Sequence, residues 1–289
     1  MIRRPPRSTP SNSSAASDVY KRQGLYWPTF EDPAVCASKG RWFDEAALKA
    51  FCSSEPRLYL PYLHYTFEYP PVVGAIWALS TNLGFLAAGF DVGPSATPEA
   101  RAVARLVHYV VQSVAIGLAA LVTVLELEKI ARIIGGGLYG LLPLLPSFVV
   151  YAVYNWDLVA AAFMVLSLRL FMERRFLGSG IFMGLAVSAK LIPIAAGAAL
   201  GYELLQEVLE GKKGAFSKYL QGTVLGLLPY IFLVAATPEG FRRFVEHHAT
   251  WYCENCLFML VTWNPMALSL IHISEPTRPL YISYAVFCL

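Results

Sequence analysis

The sequence predicts an all-α protein, a polytopic bundle of membrane-spanning helices with a loop and juxtamembrane helices on its outer face. Of its 289 residues, 56% are hydrophobic and only 15% are charged, whereas soluble domains are about a quarter charged. The mean hydropathy is +0.49, and several apolar runs approach the ~20 residues that a helix needs to cross a bilayer. A formal net charge of +3 and the lack of a basic run with interleaved aromatics argue against a nucleic-acid partner. Membrane lipids are the expected surroundings.

Two short segments near the ends of the chain correspond to the two strands of one DNA element. Residues 18–23 can be encoded by GAT GTG TAT AAG AGA CAG, and the reverse complement of that DNA encodes Leu-Ser-Leu-Ile-His-Ile, the residues at 268–273. Such inverted copies are typical of a transposon-based sequencing adapter. We therefore expect residues 1–23 and 268–289 to be translated adapter, and residues 24–267 to be one membrane domain that is truncated at both ends.

The segment Tyr62–Pro71, called the ledge below, joins a polar and aromatic stretch to the first apolar run. It contains five aromatic or imidazole rings, and Glu68 and Tyr69 directly precede two prolines. Proline lacks an N–H group and disfavours the α-conformation of the residue before it, so the ledge is expected to be extended. Rings with polar tips are typical of the lipid headgroup level. The ledge is therefore either the rim of an active site or an aromatic belt that anchors a helix.

The lysines and arginines constrain how the apolar runs cross the membrane, since they are enriched on the cytoplasmic side. All the basic clusters reach that side if residues 72–92 form a hairpin that does not cross and residues 178–205 form two short helices meeting at Lys190. The other runs, at 102–125, 133–153, 158–172, 219–236 and from 256 onward, then cross or begin to cross. This arrangement places four polar segments on one outer face: 24–102, 154–157, Lys190 and 237–255.

Charged residues at the edge of a bilayer are costly and by default mark function. Asp157 either contributes to a site or caps the helix that follows it. Lys190 lies close to Pro193 at an expected helix break, where a cation suits a lipid phosphate; the alternative is an ion pair with Asp157. Arg169 lies near the inner end of its run and is expected to extend toward the headgroups.

Histidines and cysteines cluster in the last outer segment. His247 and His248 precede Cys253–Cys256, and four such ligands suit tetrahedral zinc. The spacing is not a standard zinc signature, and adjacent histidines seldom bind one ion, so no metal site is predicted. Cys36 and Cys52 share this outer face, where disulfides persist, but the sequence leaves their pairing open.

Three motifs follow one another along the chain: Phe67-Glu68-Tyr69-Pro70-Pro71, Asn155-Trp156-Asp157 and Ala189-Lys190-Leu191-Ile192-Pro193. Together they resemble those of polyprenyl-phosphate-dependent glycosyltransferases of the C-type fold, above all the mannosyltransferase-like membrane proteins of bacteria and archaea. The resemblance covers most of residues 24–267. It implies a multi-pass enzyme of the cell membrane that moves mannose or another hexose from a polyprenyl-phosphate donor to a lipid or glycan acceptor. It implies no cofactor beyond the lipid-linked sugar, and leaves a divalent cation open.

The resemblance also implies roles for individual residues. A carboxylate on the first outer loop would be the catalytic base, either Asp32 or Asp44, with Asp32 preferred. Lys190 would bind the donor phosphate, and the substrate-binding residues would be Glu68, Tyr69, Asp157, Lys190, His247 and His248. The alternative class is a membrane transporter or scaffold. Transporters place polar groups near the bilayer midplane and often contain internal repeats, and the sequence has neither pattern.

Overall fold

The computed structural model of the protein describes residues 33–36, 42–136, 156–211 and 213–250. Over these ranges the chain is helical, with two isolated β-bridges that Tyr65 makes with Trp42 and Pro61 and no strand. The all-α prediction is therefore confirmed for this part of the chain. The two segments assigned to an adapter, together with Asp32, Asn155 and residues 251–267, lie outside the described residues.

Proline begins several of the helices. N–H groups in the first turn of a helix have no partner within it, so a residue without an N–H group loses no hydrogen bond there. Proline is the first residue of α2, α3, α6 and α9. The elements are a 3-10 turn at Pro33–Cys36 and the helices α1 (Glu45–Cys52), α2 (Pro71–Ala87), α3 (Pro98–Ile134), α4 (Asp157–Met172), α5 (Phe176–Ala189), α6 (Pro193–Leu209), α7 (Lys213–Gly226), α8 (Leu228–Ala236) and α9 (Pro238–Thr250).

Among the described helices, α3 alone is both long and apolar enough to cross a membrane as a single helix. Its 37 residues correspond to about 55 Å at ~1.5 Å per residue. Helices α7 and α8 meet the same criteria together, with a bend of 43° between them. Helices α2 and α5 are apolar but shorter. The described helices thus provide one membrane span, or two if the bent pair counts as one.

Helix α2 lies along the segment that precedes it, residues 42–70, called the outer loop below after its predicted side of the membrane. Near its start, a Cβ at Gly74 would lie 2.6 Å from the ring of Tyr62. Near its end, the Asn82 side chain accepts a hydrogen bond from the Tyr59 N–H group at 2.8 Å and donates one to the Tyr59 carbonyl at 2.9 Å. The Phe85 ring packs edge-on against Tyr59 with centroids 5.4 Å apart. The segment predicted as a hairpin is therefore one continuous helix with the preceding loop packed along it, which corrects the hairpin, and its non-crossing course stays a prediction.

The apolar run at 178–205 is two helices, as predicted. Helix α5 ends before Lys190, whose backbone is extended, and α6 begins at Pro193. Helix α5 packs backbone to backbone against α7, because a Cβ at Gly184 would lie 2.7 Å from the Cα of Gly226. Small residues permit such close approach of membrane helices, and the contact fixes α5, and with it Lys190, in the bundle.

Arg169 has protein partners that the sequence did not predict. Its side chain is only 13% exposed and forms an ion pair with Glu126 of α3. It also donates a hydrogen bond to Glu173 at 2.6 Å, while Lys129 contacts Glu126 at 2.7 Å. The packing of α4 against α3 brings a buried carboxylate to Arg169, and a charge with such a partner has no need to reach water.

Candidate functional site

Helix α9 covers the outer loop with one of its faces. A Cβ at Gly240 would clash with the carbonyl oxygen of Tyr62, so the helix backbone lies directly on the ledge. One turn later the Arg243 guanidinium lies 5.4 Å from the centroid of the Phe43 ring, within the range of a cation–π contact. The Phe244 ring lies 6.3 Å from that of Tyr62. Residues spaced by three or four positions share one face of a helix, and this face is directed at the loop.

The same face of α9 brings His247 to Glu68. The His247 Nε2 atom lies 3.4 Å from the Glu68 Oε2 atom, and the two side chains are 36% and 34% exposed. Two of the residues predicted to bind substrate are therefore brought together, and a carboxylate beside an imidazole is a common arrangement in general acid–base catalysis. His248 points elsewhere, since its Nδ1 atom lies 2.8 Å from the carbonyl oxygen of Phe244 within α9.

Tyr62 fixes the shape of the ledge. Its φ angle of 65° is in the left-handed region that side chains other than glycine rarely adopt. Its N–H group donates to the Tyr65 carbonyl at 2.9 Å, and its hydroxyl group donates to the carbonyl of Tyr69. Burial raises the pKa of Tyr62 well above its usual value, so the phenol remains a neutral donor. The backbone of Tyr69, beside Glu68, is thereby held in place.

Asp44 has a structural role at the start of α1. Its Oδ1 atom accepts hydrogen bonds from the N–H groups of Ala46 at 3.0 Å and Ala47 at 3.3 Å. Its Oδ2 atom lies 3.5 Å from Arg57. The carboxylate is therefore the N-cap of the helix, and its catalytic role stays a prediction. Asp32, the preferred base, lies outside the described residues.

His64 is a buried residue of the loop that the sequence did not single out. Its Nδ1 atom accepts a hydrogen bond from the Leu60 N–H group at 3.0 Å. Burial, reinforced by the positive charge of Arg57, lowers the pKa of His64 below its usual value, and nearby Asp44 opposes this only in part. The neutral imidazole thus closes the turn that leads into the ledge.

Lys190 and Asp157 form an ion pair at the junction of two helices. The Lys190 Nζ atom donates to the Asp157 Oδ1 atom, and the side chains are 31% and 35% exposed. Asp157 is the first residue of α4, and Trp156 rather than an aspartate occupies its N-cap position. Of the alternatives left open by the sequence, the ion pair is the one present in this structure, and both partners remain accessible to a ligand.

The Glu68–His247 contact and the Asp157–Lys190 ion pair lie beside one aromatic core. Trp156, directly before Asp157, and Ala189, directly before Lys190, belong to the same buried cluster as Tyr65 and Trp77. Phe67 and Tyr69 of the ledge pack at the edge of this cluster. The ledge and the Asp157–Lys190 pair therefore pack against one common buried cluster.

Metal-binding geometry is not found in the part of the chain that the structure describes, which contains no group of three or more His, Cys, Asp or Glu residues suited to an ion. Cys253 and Cys256 of the zinc alternative lie outside it. Cys36 and Cys52 are joined by a disulfide, which ties the 3-10 turn to the end of α1.

Sequence reasoning missed the loop-facing side of α9. The signal was present in the spacing of Gly240, Arg243, Phe244 and His247, but this spacing does not indicate which surface the helix contacts.

No protein-family model, no curated protein and no solved structure matches the chain.

Proposed function

We propose that this protein is a membrane glycosyltransferase that moves mannose or another hexose from a polyprenyl-phosphate donor to a lipid or glycan acceptor at the outer face of the cell membrane. The observation that carries the proposal is the placement of two accessible pairs, Glu68–His247 and Asp157–Lys190, beside one aromatic core. Glu68 and His247 suit the proton that the acceptor hydroxyl group releases, and Lys190 suits the negative charge that develops on the leaving phosphate.

Lys190 is the group that stabilises the leaving phosphate. The donor is a phosphodiester with one negative charge, and the departing polyprenyl phosphate carries up to two. A fixed cation therefore binds the transition state more tightly than the ground state, which accelerates the reaction. Its pairing with Asp157 is no obstacle, because a partly exposed ion pair contributes only about 0–1 kcal/mol, and the donor phosphate can replace the carboxylate.

A carboxylate accepts the proton of the acceptor hydroxyl group. The hydroxyl oxygen forms a bond to the anomeric carbon, the bond from that carbon to the phosphate oxygen breaks, and the polyprenyl phosphate leaves with the electron pair. This direct displacement inverts the anomeric centre. Glu68, oriented by His247, suits the role among the described residues, and Asp32 remains the base implied by the resemblance. Asp44 supports the loop as a helix cap.

The test is a transfer assay with the protein reconstituted in liposomes and a radiolabelled polyprenyl-phosphate hexose. We expect Lys190→Met to lower transfer by about 10²-fold, in line with the removal of one charge-stabilising donor. Lys218→Met is the matched control, because Lys218 lies exposed on α7 and outside the site. Absence of transfer from every polyprenyl-phosphate hexose offered, with uptake of a solute into sealed vesicles instead, would replace this proposal with the transporter alternative.

A further inference from the structure

A cluster of polar side chains is buried where α2 packs against α3. Ser80 and Thr81 of α2 and Gln112 of α3 are fully buried, and His108 of α3 is 1% exposed. Burying polar groups costs free energy unless they bond to one another. None of these side chains belongs to the Glu68–His247 or the Asp157–Lys190 pair, so neither pair explains why the cluster is present.

The polar atoms of this cluster lie within reach of one another. The Gln112 Nε2 atom lies 2.5 Å from His108 Nε2 and 3.2 Å from the Ser80 hydroxyl oxygen. The His108 Nδ1 atom lies 3.4 Å from the Thr81 hydroxyl oxygen, so both ring nitrogens have a polar neighbour within the cluster. The Ser80 hydroxyl group donates to the Trp77 carbonyl at 2.9 Å.

The imidazole ring of His108 packs against the ring of Trp77. The two rings meet edge to face with centroids 4.8 Å apart. Trp77 in turn packs against Phe67 at 5.5 Å, and Phe67 packs against Tyr69 at 5.8 Å. A continuous series of ring contacts thus leads from α3 to the two residues that flank Glu68.

We propose that His108 is a positioning residue, which orients Trp77 and, through Phe67, holds the ledge where Glu68 meets His247. The proposal rests on the proposed function only in treating that meeting point as a site. Its test measures geometry and not turnover, so failure of sugar transfer and failure of the positioning role are told apart.

The test uses a background in which the three cysteines outside the disulfide are replaced by serine: Cys253, Cys256 and Cys288. In that background Glu68→Cys and His247→Cys are combined and treated with a short bifunctional thiol reagent. With His108 in place we expect efficient cross-linking. With His108→Leu we expect a several-fold loss, and with His108→Asn most of it returns, because the asparagine amide places a polar group where Nδ1 lies beside Thr81.

The folding control is a second cysteine pair, Ser167→Cys with Ser179→Cys, oxidised with copper phenanthroline. These hydroxyl oxygens lie 3.1 Å apart between α4 and α5, away from His108, so this cross-link persists in a folded variant. If His108→Leu loses it, Thr81→Val takes its place, since valine keeps the shape of threonine without the acceptor. Full cross-linking of the ledge pair in the folded variant would overturn the proposal, as would an equal loss in His108→Asn.

Discussion

The His247 Nε2 atom lies 3.4 Å from the Glu68 Oε2 atom, which links the helix at the end of the described chain to the segment before its first apolar helix. Helix α9 reaches Glu68 because Gly240 admits it onto the backbone of Tyr62. The ledge and α9, which are far apart in the sequence, therefore form one surface. The proposed chemistry can be tested there by replacing Glu68.

We expect Glu68→Gln to lower sugar transfer by at least ~10²-fold, the contribution typical of general base catalysis. The protein should remain folded, because an ion pair of this exposure contributes only ~0–1 kcal/mol to stability. Initial rates in the liposome assay provide the measurement, and Glu246→Gln is the control, since Glu246 lies exposed on α9. Equal rates in the two variants would remove Glu68 from the reaction.

Replacing Lys190 distinguishes its two candidate roles, binding of the donor phosphate and a purely structural ion pair with Asp157. If it serves the donor phosphate, Lys190→Met leaves the thermal unfolding midpoint in detergent nearly unchanged, because its pair with Asp157 is about one-third exposed and such pairs contribute little. The apparent affinity for the lipid donor falls. A large loss of stability that Asp157→Asn partly restores would instead show that the pair is only structural, and unchanged donor affinity would end the phosphate role.

The packing of α5 against α7 depends on glycine. A side chain at Gly226 would meet the Cα of Gly184 at 2.8 Å, and such overpacking typically costs about 1–3 kcal/mol. We expect Gly226→Ala to lower the unfolding midpoint. Gly214→Ala, at the start of the same helix, meets no atom within 4 Å and should leave the midpoint nearly unchanged. Thermal unfolding in detergent decides, and equal shifts in both variants would contradict the contact.

Stability should depend on pH through His64. Since burial lowers the pKa of the folded imidazole, the neutral form is favoured in the folded state. Its contribution is fully present above the ordinary value of ~6.5 and is lost as the pH falls through the lowered pKa. His64→Gln should flatten this part of the profile of unfolding midpoint against pH between neutral and mildly acidic conditions. A profile unchanged by the substitution would show that other groups control it.

The non-crossing arrangement of α2 predicts that both of its flanks face outward. In the background without free cysteines, Ser53→Cys and Ser95→Cys should each react with an impermeant thiol reagent added outside intact cells. Arg175→Cys, on the predicted cytoplasmic side, should react only after permeabilisation. Protection of Ser95→Cys under conditions that label Ser53→Cys would mean that α2 crosses the membrane.

The sequence by itself determined the features that depend on local chemistry. Apolar composition indicated the membrane. The predicted run 102–125 lies within α3, but the helix extends beyond it at both ends, to Pro98 and Ile134, through charged residues that were expected to interrupt it. Proline and lysine marked the break at Lys190, because a missing N–H group and restricted backbone act within a few residues wherever the chain goes. The Tyr-Pro-Pro step likewise located the start of α2, one residue from its predicted place.

The tertiary structure alone decided which charged residues meet. The pairing of Arg169 with Glu126, of Lys190 with Asp157 and of His247 with Glu68 depends on how helices pack. In a soluble protein the spacing of apolar residues would indicate the packed face of each helix. In a membrane helix the face toward lipid is as apolar as the face toward protein, so the pattern that would have identified the neighbours is absent from the sequence, and only close packing of glycine and aromatic side chains selects them.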